Sequence, residues 1–123
     1  MNELPVIDAG AAKILSLAAE TTFAPNGIVS RTLLRTPNNR MVLFGFSEGQ
    51  ELTEHTSTQS AVIQILTGQA ELSLAGKLQV VKAGDLIYLP PHLPHAHNAI
   101  TPFSMLLTLS KAGVPAASGR NDE

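Results

Sequence analysis

A chain of 123 residues has interior enough for one core, and with 44% apolar and 15% charged residues it lies far from the composition of disordered chains. A formal net charge of −2 without any basic cluster argues against general binding to nucleic acid or anionic membranes, leaving small molecules and proteins as partners. The absence of cysteine removes disulfides, thiolate metal sites and a cysteine nucleophile together, so histidine must supply any soft metal ligand.

The first predicted element is a short helix in "DAGAAKILSLAAET", with Asp8 as its cap and Ala11, Ile14, Leu15 and Ala18 on one face, packing outside a sheet. The start "MNELPVIDAG" carries no basic segment ahead of an apolar run and no stretch approaches a bilayer-spanning length, so a soluble cytoplasmic protein is expected. After a turn at Pro25, Asn26 and Gly27 only strands are predicted: Ile28 to Leu34, Met41 to Phe46, Ala61 to Leu66, Ala70 to Leu74, Leu78 to Val81, Leu86 to Leu89 and Phe103 to Leu109. The last alternates most clearly, with Phe103, Met105, Leu107 and Leu109 on one face, while Leu106 interrupts the polar row opposite and predicts a second covered face. Short strands joined by turns, with no helices between them, predict an antiparallel sandwich or barrel. The expected organisation is an N-terminal segment over 1–27, a barrel over 28–110 and a loose tail over 111–123.

Candidate chemistry is concentrated in the histidines. In "GQELTEHTSTQSAVIQILTG" the positions His55, Ser57, Gln59, Ala61 and Ile63 alternate, so an extended chain points them all inward. In "GDLIYLPPHLPHAHN" His95 and His97 likewise share a face, whereas His92, just after Pro90 and Pro91, is expected on a turn. Two separated strands that each turn imidazole inward are what a barrel needs to build a metal site, and imidazole suits zinc, nickel, copper or iron. Other chemistries have no foothold. "GFSEG" lacks the second half of a nucleophile elbow, and the acid pairs Glu48 with Glu51 and Glu51 with Glu54 look solvated.

These two stretches resemble the motifs of the cupins, an all-β family whose fold is a double-stranded β-helix, or jelly-roll barrel. The first cupin motif, G-x5-H-x-H-x3,4-E-x6-G, is met by Gly49, His55 and Gly68, with Ser57 and Ala61 at the second histidine and the glutamate. The second, G-x5-P-x-G-x2-H-x3-N, is met by Gly84, Pro90 and His95, with His92 in the glycine place and Asn98 one residue early. The likeness covers Gly49 to Asn98 and, through the flanking strands, about Ile28 to Leu109. It implies a divalent transition metal (zinc, nickel, iron or manganese) held by His55 and His95, with Gln59 or His97 recruited to complete the shell and Ser57, Ala61 and Ile63 lining the ligand pocket. Without a carboxylate in the shell, the ion would favour a small anionic ligand such as a carboxylate or enolate. The implied chemistry is dioxygenation, isomerisation or decarboxylation; the alternative is a metal-free module that binds or senses a small molecule. If it is not recruited, His97 is expected at an exposed strand end. A homodimer is expected, because small barrels protect their edge strands by pairing and the family does the same.

Overall fold

The computed structural model describes residues 4–111. Its elements run α1 (Leu17–Glu20), β1 (Ile28–Arg35), β2 (Asn39–Phe46), β3 (Glu51–His55), β4 (Ser60–Thr67), β5 (Gln69–Leu74), β6 (Lys77–Lys82), β7 (Leu86–Leu89), β8 (His95–Ala99) and β9 (Phe103–Ser110). Two antiparallel sheets, ordered β1-β2-β9-β4-β7 and β3-β8-β5-β6, face each other as the expected jelly-roll barrel. Every predicted strand is present within a few residues of its expected bounds. β3 and β8 were not among them, and these are the two strands that carry His55, His95 and His97. A two-residue turn at Ala75 and Gly76, both at positive φ, closes the β5–β6 hairpin and holds Leu74 opposite Lys77.

The period-two pattern decides the interior. Ala61, Ile63 and Ile65 of β4, Ala70 and Leu72 of β5, Ile87 and Leu89 of β7 and Phe103 and Met105 of β9 form one buried cluster with Phe46 and Ala99. Packing is graded along the barrel. Phe46 and Phe103, both fully enclosed, stack with ring centres 4.4 Å apart and seal one end. Further along the same β9 face Leu107 and Leu109 are only partly buried, because there the barrel opens into a cavity. Leu33, Leu43 and Leu106 make the predicted second covered face on the outside of the five-stranded sheet.

The cover on that outer face differs from expectation. Only Leu17–Glu20 is helical, and its cap is Ser16, whose hydroxyl accepts from the Ala19 N–H. Asp8 instead accepts from the Gly10 N–H in an isolated turn, Ala11 and Ala18 are exposed, and Ile14 is 99% exposed. A short helix is marginal without tertiary packing. Here the packing goes to Val6, Ile7 and Leu17, while the Val6 and Ile7 N–H groups donate to the Thr32 and Leu33 carbonyls of β1. The segment is thus held open by the sheet it covers. Among the described residues, no helix is long and apolar enough to cross a membrane. The tail predicted to be loose falls, but for Lys111, outside the described residues.

Gly68, between β4 and β5, marks the tightest junction. Its φ is +79°, and an added Cβ would stand 2.0 Å from the Pro102 carbonyl oxygen and 2.8 Å from the Phe103 Cα, both backbone atoms that cannot swing aside. Gly68→Ala is therefore expected to lower the unfolding free energy by about 3 kcal/mol or more, combining left-handed strain with overpacking. Urea denaturation measures this, and an unchanged midpoint would refute the close approach.

Candidate functional site

β3 and β8 are antiparallel neighbours, and their register sets His55 directly opposite His95. The ring centres lie 4.2 Å apart. Each ring is tethered in the same way: Nδ1 of His55 lies 2.9 Å from the Thr53 carbonyl, and Nδ1 of His95 lies 2.9 Å from the Leu93 carbonyl. A carbonyl can only accept, so each Nδ1 carries a proton, and in the neutral imidazole Nε2 is then the atom with the lone pair. A backbone carbonyl holding the far nitrogen is the arrangement that orients an imidazole as a ligand. His95 is buried, while His55 stands exposed at the rim.

His97 occupies the next inward position of β8, where burial alternates strictly from His95 through His97 to Ala99. It is 4% exposed, so the expectation of an exposed strand end is wrong. Ala99 continues the inward row and Ala96 and Asn98 the outward one, which is the signal that could have placed it. The His97 ring meets His95 edge-on, with centres 5.7 Å apart, and lies 6.3 Å from the Phe46 ring. Its Nδ1 is enclosed without a hydrogen-bond partner. Burial, reinforced by repulsion from His95 and then His55, pushes its pKa down to about 4.

The three imidazoles line one cavity of about 290 Å³, with Phe44, Ile63, Leu89, Met105, Leu107 and Leu109 as its apolar wall. Ser57, Gln59 and Ala61 line it too, as expected, but not along one extended strand. β3 ends at His55 and β4 begins at Ser60; between them the Ser57 hydroxyl accepts from the Gln59 N–H and the Ser57 carbonyl accepts from the His92 N–H. Ser57 is thereby occupied in holding the turn. His92 lies on a turn as predicted, at φ +71°, which explains why it occupies a place where the motif has glycine. Tyr88 points to the surface.

The donors present do not make a closed metal shell. Among the described residues, no group of three or more His, Cys, Asp or Glu side chains is placed to hold an ion. The donors on hand for an ion are two neighbouring imidazoles whose Nδ1 atoms are already engaged by backbone carbonyls.

The sequence model of the family described as Cupin domain matches residues 42–109, more than half of the chain. Among solved structures, a conserved protein of unknown function from Streptococcus pyogenes is 32% identical, with a TM-score of 0.79 over 93% of this chain and 98% of that one. A cupin 2 conserved barrel domain protein from Leptotrichia buccalis is 33% identical, with a TM-score of 0.75 over 79% of this chain and 47% of that one. A cupin superfamily protein from Desulfitobacterium hafniense, 22% identical with a TM-score of 0.77 over 83% of this chain and 94% of that one, shares the fold. No curated protein matches. Since the family match spans both histidine-bearing motifs and the strands that frame the cavity, the chain belongs to the cupin family.

Proposed function

We propose that this cupin binds a small organic acid in its barrel, at a divalent transition ion held by His55 and His95. Zinc, nickel and iron suit these imidazole donors better than manganese, which prefers oxygen, and Gln59 at the cavity wall is able to add a further donor. The observation that carries this reading is the matched tethering of the two rings, which leaves two Nε2 lone pairs on facing imidazoles at the mouth of an apolar cavity. When bound, such an ion supplies positive charge that attracts and polarises an anionic oxygen. The chain's own residues do the rest: the carbonyls of Thr53 and Leu93 fix the rings, and the aliphatic wall excludes water and so strengthens the electrostatic contact.

A metal-free pocket is the second reading, favoured by Ser57 and Ala61 standing where the cupin motif carries ligands. A homodimer in the cytoplasm completes the proposal. Edge strands β6 and β7 leave Leu78, Val80, Leu86 and Tyr88 exposed, which suits a second copy as cover.

Elemental analysis of untagged protein separates the two readings. One ion per chain is expected, falling to a small fraction of that in His95→Ala. Protein devoid of transition metal, even after incubation with each of the four ions, would leave only the metal-free pocket.

A further inference from the structure

His97 has no part in the grip just described, yet it is the most enclosed of the imidazoles. It lines the cavity on its inner side, beneath His95 and against Phe46. Nδ1 is shut away without a partner, which leaves Nε2 as the nitrogen free to meet a partner in the cavity that the residue lines. A neutral imidazole carries a single proton. Placed on Nδ1, that proton would make a buried N–H with no acceptor, the costlier kind of orphan; placed on Nε2, it faces the cavity and leaves only an unfilled lone pair behind. The tautomer is therefore the reverse of that in His55 and His95, whose Nδ1–H groups are committed to carbonyls. Along β8, two residues apart, the cavity changes from a lone-pair donor at its rim to an N–H donor at its floor.

We propose that His97 is a specificity-determining residue, donating its Nε2–H to a neutral oxygen of the bound acid, so that the ligand class is a short hydroxy- or oxo-acid rather than a plain carboxylic acid. The inference rests on the reading that the acid group sits at His55 and His95. With 5.7 Å between the His95 and His97 ring centres, one compact molecule spans both groups. Phe44, Ile63 and Met105 of the cavity wall offer no competing polar group, so an acid without the second oxygen leaves the His97 N–H unpaired in hydrocarbon when it displaces water.

The test uses matched probes and the protein as purified. Dissociation constants are measured by calorimetry for lactate against propionate, β-hydroxybutyrate against butyrate, and levulinate against valerate. At least one oxygenated acid is expected to bind about tenfold more tightly than its parent, the worth of one buried hydrogen bond. His97→Leu should abolish that preference by bringing the two members of each pair to similar affinity, whereas His95→Ala should weaken both members of the pair. No preference in any pair, or a preference that survives in His97→Leu, overturns the assignment of His97 while leaving the acid site standing. Failure of every acid to bind the wild type overturns both. Nitrogen-15 spectra of the free protein give an independent check: a His97 proton found on Nδ1 defeats the inference before any ligand is added.

Discussion

Phe46→Ala is expected to remove about 3–5 kcal/mol of unfolding free energy and to lower Tm by roughly 10–20 °C, a large share of what holds a domain of this size. Phe46 is wholly enclosed and stacks on Phe103, with Phe44 at a ring distance of 5.9 Å and His97 at 6.3 Å. Its removal opens a void at the sealed end of the barrel, where strands from both sheets meet and cannot collapse together without breaking ladder hydrogen bonds. It also takes away the hydrocarbon beneath His97, and water admitted there would lighten the burial that keeps the imidazole neutral. Calorimetric unfolding checks the first effect. A loss below about 1.5 kcal/mol would mean that this end of the barrel does not anchor the fold.

Acid should destabilise the metal-stripped protein through His97. Its pKa is about 4 in the folded chain against 6.5 when unfolded. Above pH 6.5 neither state holds the proton and the effect vanishes. Between pH 6.5 and about 4 the unfolded chain takes up a proton that the folded chain refuses, so stability falls as the pH falls, by a total approaching ~3 kcal/mol, and then levels off. His97→Leu keeps the interior filled and removes the titrating group. The difference between the two unfolding free energies, followed from pH 7.5 to pH 4 in chelator, should grow by roughly that amount. Parallel curves would show that the folded protein protonates His97 as readily as the unfolded chain does.

Most of the barrel was legible because its strands obey one rule. Phe103, Met105, Leu107 and Leu109 alternate against a covered sheet, and Gly68, Gly84 and the proline pair punctuate the turns. β3 and β8 escaped the same rule because their inward residues face a cavity. In "ELTEH" and "HAHNA" hydrocarbon alternation gives way to imidazole, and the pairing of β3 with β8 and of β8 with β5 makes them strands. The helix was over-read for the complementary reason. "DAGAAKILSLAAET" has helical spacing, but the outer face of the sheet takes Val6, Ile7 and Leu17 and leaves Ile14 in solvent. In the site, His55 and His95 were brought together by two separate motifs, whereas the tethers that set their tautomers are backbone carbonyls, which no side-chain pattern encodes.

The gradation of packing along the barrel axis divides the labour of mutation. Drift at the open rim, at Gln59, Leu107 or Leu109, reshapes what the chamber accepts while sparing the aromatic plug opposite. A lineage carrying this architecture can therefore explore new ligands without losing the scaffold, and His97, at the boundary between the two zones, is where that freedom ends.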